Sequence, residues 1–510
     1  MSKLGNSSCI VKLDIQMCEK TNSFIQAILA KINSESELEK AMAISEWLAR
    51  FLAMNSCGVY RFDQIERTIG VRLEVHPKDF PDLLRDEIHI ASEIYPHGGH
   101  TRIIQNLIIA NTGNSDVLLT RQASIKSKIL DIPRGDLIEL NCRTQPQRAC
   151  ELIKILAHYR RIYIHIHPDD IVAASALIRY KSTNIHSKII FVNHADHLFS
   201  LGLASADIVY EISIYGWNLR KQRKTEAISS FIGIPIIGTY RASAGTRSRG
   251  LIFSGGDAYK FKPGGSHSFQ KNLKLIMLAH PDVNAIIVGP RWYDYWWWPI
   301  RLRLGKRLKI RAKVPHSKYL EYLGLCSVYL DSYPVTGGTA FTESLISGCS
   351  VAGLMGPTNG YGFADNLKSE SLSSLLQKVD ELGNHDASAL NAEAKVRDGA
   401  IEFHNPVNVY IRARHSIQTG VLLQPPFSIT SNNTLPWFEE IWMARGKPTL
   451  PGFRNLDQVK EIFPSVALSA VKFFGLFRPS VTLFSKATYV AFTSYGKNLA
   501  IAILKLCGRR

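Results

Sequence analysis

The sequence has few of the features that define several common protein classes. Its eight cysteines form no CxxC pair and no short regular spacing, so neither a zinc ribbon nor a disulfide framework is indicated. No eighteen uncharged apolar residues run together, and no long apolar core follows the first lysine. Neither a membrane-spanning helix nor a signal peptide is therefore expected. These absences favour a protein of the reducing cytoplasm.

Acidic residues are also scarce, because 43 Asp and Glu stand against 61 Lys and Arg, for a formal net charge of +18. Such a surface attracts anions, which include nucleic acids, anionic lipids and phosphorylated small molecules. A hydrophobic content of 45% excludes a disordered chain, and 510 residues exceed what one core usually serves. Two domains with appended segments are therefore expected.

The hydrophobic pattern divides the chain into four parts. Residues 1–86 show helical periodicity and predict an accessory helical region. In 87–240 and again in 250–420, short apolar runs alternate with helical patterns, which predicts parallel sheets covered by helices. The expected fold is therefore α/β, with two Rossmann-like domains that face a cleft. Residues 421–510 predict a helical basic tail, since no acid occurs after Glu461.

The stretch DSYPVTGGTAFTESLISGCSV, residues 331–351, follows an apolar strand and opens a helix. Gly337, Gly338 and Thr339 stand at the start of that helix, where bare N–H groups and the helix dipole favour a phosphate. Glu343 lies one turn inside, where a carboxylate repels a phosphate but accepts two hydroxyl hydrogens. A ribose beside a diphosphate meets both conditions. The alternative is a tight glycine turn followed by a solvated glutamate.

A second glycine loop, FSGGDAYKFKP at residues 253–263, follows the first strand of the same domain. It places Gly255, Gly256 and Lys260 at the carboxyl edge of the predicted sheet, where Lys260 supplies a point charge for a diphosphate. Alone, Lys260 is equally well explained as one of many loop lysines in a basic protein. Two such loops in one sheet favour a nucleotide site.

The run LDSYPVTGGTAFTESLISGCSVAG, with KVPHSKYLEYLGLCSVYLD before it, resembles the donor-binding half of GT-B glycosyltransferases related to the O-GlcNAc transferase type. The clear resemblance covers about residues 250–370. It implies a transferase that binds a nucleotide-diphosphate sugar, with UDP favoured, and needs no other cofactor. By position it implies that Lys260, Gly338 and Thr339 meet the diphosphate and that Glu343 takes the ribose.

Two departures from related patterns bear on the mechanism. Retaining enzymes of this fold usually carry two glutamates with seven residues between them, and the position of the first is occupied here by Val335. Inversion is therefore favoured, in which a base activates the acceptor hydroxyl while the nucleotide leaves. No Asp-x-Asp occurs, so the metal-binding signature of the other large glycosyltransferase fold is absent and no metal is expected.

The first domain offers two loops that contain candidate bases. SEIYPHGGHTRIIQNL, residues 92–107, places His100 at the start of a helix beside the cleft, and an imidazole suits proton removal from a hydroxyl. The resemblance implies that Gly98, Gly99 and His100 approach the sugar.

The other loop is VNHADHLFSLG, residues 192–202, with Asn193, His194, Asp196 and His197 after a predicted strand. Asp196 is suited to orient a neighbouring imidazole. Internal hydrogen bonding of a polar loop explains the same residues equally well. The expected order of candidates is His100, then His197, then His194.

Three alternative functions remain open. HIHPDD, residues 165–170, with HADH at 194–197 resembles the ligand set of a metal-dependent hydrolase, but Asp170 stands where such enzymes have histidine. A sugar-nucleotide epimerase shares the expected architecture. A non-enzymatic nucleic-acid-binding protein agrees with the charge, yet no DNA or RNA module is recognisable, so no nucleic-acid partner is expected.

Two basic segments predict contact with a membrane surface. WYDYWWWPIRLRLGKRLKIRAK, residues 292–313, combines aromatic and cationic side chains, and the tail after Ile462 combines apolar faces with basic flanks. Packing against the domains explains them equally well. The expectation is a cytoplasmic protein attached to the inner face of the cytoplasmic membrane, with a glycan, lipid-linked or protein acceptor.

Overall fold

The computed structural model describes most of the chain. The described residues are 5–75, 85–95, 98–121, 130–183, 186–238, 250–264, 267–384 and 386–426, and beyond these 439, 442, 448–452, 462, 466, 469, 473, 478 and 479. Residues 239–249, between the two predicted sheet-containing parts, and most of the basic tail therefore fall outside the described residues.

The first domain contains a seven-stranded sheet with the strand order β3-β2-β1-β4-β5-β6-β7, and all neighbouring strands are parallel. Six of the strands coincide with predicted apolar runs, whereas the seventh, β7, was not predicted. The strands are β1 (Arg85–Ala91), β2 (Ser115–Leu119), β3 (Leu137–Glu139), β4 (Tyr159–His165), β5 (Lys188–Val192), β6 (Ile208–Glu211) and β7 (Ile228–Phe231).

Helices cover both faces of this sheet. One face carries Ile88 and Ile162 and shares a single core with Phe24, Trp47 and Ile65 from the amino-terminal helices. The predicted accessory region is thus part of the first domain's core. The helices are α1 (Gly5–Ser34), α2 (Leu38–Met54), α3 (Asp63–Gly70), α4 (Gly99–Ala110), α5 (Gln145–Leu156), α6 (Ile171–Thr183) and α7 (Ile214–Arg223).

The second domain contains a parallel five-stranded sheet with the order β10-β9-β8-β11-β12. Its strands are β8 (Leu251–Gly255), β9 (Asn284–Val288), β10 (Leu308–Arg311), β11 (Val328–Leu330) and β12 (Ser350–Ala352). Its helices are α8 (Phe269–Ala279), α9 (Trp298–Leu304), α10 (His316–Leu325), α11 (Thr339–Ile346), α12 (Leu372–Gly383) and α13 (Ala387–His404). The predicted fold class, two Rossmann-like parallel sheets, is confirmed.

The next helix, α14 (Pro406–Thr419), returns to the first domain. Asn405 caps it by accepting from the Val407 N–H at 2.9 Å, and proline at its first position has no backbone N–H that needs a partner. Val409 and Ala413 pack in the core that lies over the second face of the first sheet. By packing, the second domain therefore ends near residue 405 and not at the predicted boundary of 420.

The described positions of the carboxy-terminal extension contact α2. The Asn55 side chain donates to the Thr449 carbonyl at 2.8 Å and accepts from the Trp442 indole at 3.2 Å. A short parallel pair joins β13 (Thr449–Leu450) to β14 (Arg478–Pro479). Within the described part of the chain, no helix has the length and apolarity that crossing a membrane requires.

Candidate active site

A cavity of about 580 Å³ opens between the carboxyl ends of the two sheets and is lined by both domains. Most of the predicted site residues meet in this cleft. They are Gly98, Gly99, His100, His194 and His197 from the first domain, and Gly255, Gly256, Lys260, Gly337, Gly338 and Thr339 from the second. Three predicted residues are buried behind the cleft wall, namely Asn193, Asp196 and Glu343.

Two helices begin at the cleft from opposite sides. Helix α4 follows Gly98 and α11 follows Gly338, whose φ values of 104° and 42° favour glycine. Neither helix has a side-chain cap, so first-turn N–H groups are left for a ligand, although the Ala340 N–H of α11 bonds to the Gly337 carbonyl at 2.8 Å. A β-carbon on Gly99 would lie 2.8 Å from the Thr339 hydroxyl, so the two loops approach closely. The pair of helix dipoles favours an anion here.

Lys260 adds a positive charge beside the α11 loop. Its ammonium donates to the Thr336 carbonyl at 3.0 Å, one residue before the glycine pair. Burial lowers the pKa of Lys260, although the carboxylate of Asp331 opposes that shift. A bound anion would restore the preference for the charged form, because opposite charges attract strongly in a poorly hydrated site.

The glycine loop itself is shaped by a buried ion pair that sequence reasoning missed. Asp331 accepts from the Gly337 N–H at 2.7 Å and from the Thr336 hydroxyl at 2.5 Å, and it pairs with the Lys368 ammonium at 2.9 Å. Lys368 also contacts Asp365. An acid at the end of strand VYLD was the only available signal, and Lys368 lies 37 positions farther along the chain (368 − 331).

Two of the candidate bases have fixed ring orientations. His100 donates from Nε2 to the His165 carbonyl at 2.7 Å, so its Nδ1 is the unprotonated nitrogen of the neutral ring. Burial lowers the pKa of His100 to about 4, which keeps it neutral near pH 7. His197 donates from Nδ1 to Asp196 at 3.0 Å, the orienting contact that the sequence predicted. Asn193 instead donates to Glu211 at 2.8 Å, away from the cleft.

Glu343 has a different partner from the predicted ribose. Both of its carboxylate oxygens accept from the guanidinium of Arg102, which stands on α4 of the opposite domain. His316 lies 3.6 Å away, and the Glu343 side chain is only 3% exposed. For a ribose to reach Glu343, Arg102 must release at least one oxygen. The ribose contact stays a prediction, whereas the ion pair between the domains was not foreseen.

Two of the residues that suggested a metal hydrolase, His165 and Asp170, are already hydrogen-bonded. Both ring nitrogens of His165 have histidine partners, at 2.9 Å and 2.7 Å. Asp170 is buried and accepts from the Ser92 and Thr120 hydroxyls at 2.5 Å. Among the described residues, no three His, Cys, Asp or Glu side chains are arranged to hold a metal ion. The hydrogen bonds explain these residues without a ligand set.

No protein-family model matches the sequence, and no curated protein matches it at a significant level. Solved structures do match. TarM aligns with a TM-score of 0.52 and 10% identity, over 66% of this chain and 99% of its own.

Two further matches have TM-scores below 0.5. An O-GlcNAc transferase mutant from Thermobaculum terrenum aligns at 0.48 with 11% identity, over 84% of this chain and 83% of its own. Anabaena Alr3699/HepE, solved in complex with UDP-glucose, aligns with a TM-score of 0.49 and 13% identity, over 65% of this chain and 99% of its own. At these identities the likeness concerns the fold alone. Together with the two facing parallel sheets, the match to TarM confirms the predicted GT-B fold.

Proposed function

We propose that this protein is a glycosyltransferase that moves a sugar from a nucleotide-diphosphate sugar to an acceptor hydroxyl. The observation that carries the proposal is one cleft in which Lys260 and the start of α11 in the second domain face the half-buried, neutral imidazoles of His100 and His194 in the first. An anion site and a proton acceptor on opposite walls are the two parts that group transfer from a diphosphate requires.

On the donor side, charge develops on the diphosphate as the bond to the sugar breaks. The Lys260 ammonium and the uncapped N–H groups of α11 are positioned to stabilise that charge. They supply from the chain itself the positive charge that a bound metal ion supplies elsewhere. UDP is proposed as the nucleotide because residues 250–370 resemble the O-GlcNAc transferase group.

On the acceptor side, Val335 lines the cleft where a retaining enzyme would have the first of its two glutamates. An apolar side chain there has no lone pair, so it serves neither as nucleophile nor as base. The proposal is therefore inversion, in which an imidazole of the first domain removes the proton of the attacking hydroxyl. The acceptor is a glycan, a lipid-linked sugar or a protein side chain.

A thermal-shift screen with UDP, GDP, CDP and dTDP tests the donor site. We expect UDP to raise the melting temperature, because a ligand at 100 times its Kd stabilises the native form by about 2.7 kcal/mol. A Gly338→Val variant is the matched control, since its side chain would meet the Tyr361 ring at 3.3 Å and block the α11 start. Absence of any shift with all four nucleotides would refute the proposal.

A sugar-nucleotide epimerase of the same fold would also bind a nucleotide and would give the same rise in melting temperature. Incubation of the protein with UDP-sugars, with and without acceptor sugars, separates the two functions. Transfer predicts that UDP release rises when an acceptor is added, whereas epimerisation converts the donor sugar without an acceptor.

We also propose that the protein attaches to anionic membrane through the segment 292–313. Its aromatic and apolar side chains are unusually exposed, at 78% for Trp292, 66% for Tyr295 and 87% for Leu302. Exposed cations accompany them, and the one acid of the segment, Asp294, is buried. The segment follows β9, whose end lines the cleft, so a membrane held there would lie close to the transfer site. Aromatic and basic side chains together suit a headgroup layer of negative charge.

A Trp292→Ser and Leu302→Ser double variant is expected to bind phosphatidylglycerol vesicles about tenfold more weakly, because two apolar anchors are lost. Sedimentation with vesicles measures this binding. Val71→Ser is the control, since Val71 is 72% exposed but lies in the amino-terminal helical region. Equal binding of both variants, or equal binding to phosphatidylcholine vesicles, would contradict a membrane role for the segment.

A further inference from the structure

A row of polar side chains crosses the first sheet, where buried parallel strands are normally apolar throughout. Glu87 and His89 on β1 share one face with Arg161, Tyr163 and His165 on β4, as the parallel register of the two strands dictates. Glu87, His89 and His165 are at most 1% exposed. Burial of polar groups costs free energy unless they are hydrogen-bonded. A row of buried polar side chains in a sheet is therefore expected to have a specific role.

The histidines of this row touch end to end and reach the cleft. His89 Nδ1 lies 2.9 Å from His165 Nε2, and His165 Nδ1 lies 2.7 Å from His194 Nε2. At the far end, His89 Nε2 is 3.5 Å from a Glu87 oxygen. At the near end, His194 lines the cleft, and its Nδ1 is a buried nitrogen that has no hydrogen-bond partner within the described structure. The row thus connects a buried carboxylate to an unused ring nitrogen.

For a neutral His89 ring, the carboxylate fixes the direction of every hydrogen bond in the row. Burial alone would raise the pKa of Glu87, but hydrogen bonds from His89 and Ser115 lower it to about 2, so Glu87 is ionised and only accepts. His89 must therefore donate from Nε2 and accept at Nδ1. By the same rule His165 donates to His89, since a neutral imidazole has one donor and one acceptor.

His194 then donates from Nε2 to His165, which leaves the lone pair of His194 on Nδ1. Burial lowers the pKa values of His165 and His194 well below their ordinary values, so both rings are neutral. An unprotonated, unpartnered nitrogen at the cleft is the form in which a general base is ready to act.

We propose that His194 Nδ1 is the base that removes the proton of the acceptor hydroxyl, and that His165, His89 and Glu87 act behind it as positioning residues. This inference rests on the proposed glycosyltransferase function. As the O–H bond breaks, the oxygen bonds to the sugar carbon, and the carbon–oxygen bond to the diphosphate breaks with its electron pair leaving on the diphosphate. The proton stays on His194.

The row also provides a place for the resulting positive charge. The Nε2 proton of His194 shifts to His165 Nδ1, and the Nε2 proton of His165 shifts to His89 Nδ1. His89 is then an imidazolium beside the Glu87 carboxylate, where opposite charges stabilise each other in a dry interior. Release of the proton after the reaction reverses these shifts.

The other two candidate bases of the cleft differ from His194 in what supports them. The His100 ring is held by the His165 carbonyl, which orients it but takes up no proton and carries no negative charge. Its ring centre is 4.5 Å from that of His194, so a hydroxyl bound to one ring lies close to the other. His197 has a carboxylate partner in Asp196 and is therefore the direct rival.

Glu87→Gln is the decisive variant, because it removes the negative charge that stabilises an imidazolium at His89. We expect kcat to fall about 100-fold, the usual contribution of a general base, with donor KM and the UDP thermal shift unchanged. Ser115→Ala is the matched control. It removes another hydrogen bond to Glu87, of 2.6 Å, without touching the histidines, and kcat should stay near wild type.

Should Glu87→Gln fail to fold, His89→Phe interrupts the row while keeping the stacked contact with Tyr163, whose ring centre lies 4.6 Å away. The same loss of kcat is expected. The kcat of His197→Ala should stay close to that of the wild type, whereas the kcat of His194→Ala should fall. Full activity of His194→Ala and Glu87→Gln in a preparation whose wild type transfers sugar would overturn the inference.

Nitrogen-15 NMR of histidine-labelled protein gives a readout that is independent of activity. The wild type should show His194 with a bare Nδ1. A wild-type spectrum with His194 protonated at Nδ1 would refute the row of hydrogen bonds. Absence of transfer by the wild type with every donor would refute the proposed function, and the NMR result would still decide the tautomers.

Discussion

A Lys260→Met variant is expected to transfer sugar about a thousandfold more slowly than the wild type, the upper range for loss of one preorganised electrostatic group. Lys260 donates to the Thr336 carbonyl just before the uncapped start of α11, so it is a charged side chain of the cleft wall that contacts this loop directly. Methionine fills a similar volume without the charge. Steady-state rates with saturating donor measure the loss of kcat. A titration with UDP measures the change in nucleotide affinity.

The matched control is Lys262→Met, two positions along the same loop. Lys262 is exposed and points its ammonium towards the Trp296 ring at 5.7 Å, and it does not line the cleft. Its kcat should stay within a factor of about two of wild type, as for most surface changes. Equal losses in both variants would show that general basicity, and not Lys260, supports the reaction.

The same residue gives a pH dependence of nucleotide binding. Because burial lowers the pKa of Lys260, its ammonium is lost at a lower pH than that of an ordinary lysine. UDP affinity should therefore weaken as pH rises through that lowered pKa, and Lys260→Met should lack this decline. Titration calorimetry at several pH values from 7 upward measures it.

The fold could be read from the sequence because parallel strands and their helices leave a local signal. Each apolar run of the two predicted sets became a strand of the expected sheet, and the glycine pairs became the loops at the carboxyl edge. Strand β7 was missed because its sequence, ISSF, carries two serines, which the neighbouring strand and α14 bury. Helix α14 was assigned to the wrong domain because its apolar face does not reveal which sheet it covers.

The contacts that were missed all join residues far apart in sequence. The Asp331–Lys368, Arg102–Glu343 and His89–His165 pairs depend on strand register and on how the domains meet, which no local pattern specifies. One signal was nevertheless available. The strands DEIHIA and RIYIHIH alternate polar and apolar residues, whereas a parallel strand buried on both faces should be apolar throughout. That alternation marks the polar row.

The final prediction concerns the ion pair that joins the domains. Replacing Arg102 by methionine should lower the free energy of unfolding by about 3 kcal/mol, because it leaves the Glu343 carboxylate buried without its main partner. The Arg102→Met, Glu343→Gln double variant should recover a large part of that loss, since the neutral amide needs no counter-charge. Urea unfolding of wild type, both single variants and the double variant measures the coupling.

Acidification should narrow the difference in the free energy of unfolding between wild type and Arg102→Met. Burial alone would raise the pKa of Glu343, but hydrogen bonds from His316 and Arg102 lower it below its ordinary value. In the wild type the pair therefore stabilises the fold above the unfolded pKa, about 4.3, and this contribution is lost as pH falls through the lower folded pKa. In Arg102→Met the unpaired buried carboxylate has a raised pKa, so protonation stabilises that variant as pH falls. If the difference in the free energy of unfolding stays constant between pH 7 and pH 4, then Arg102 does not stabilise the fold through the Glu343 carboxylate.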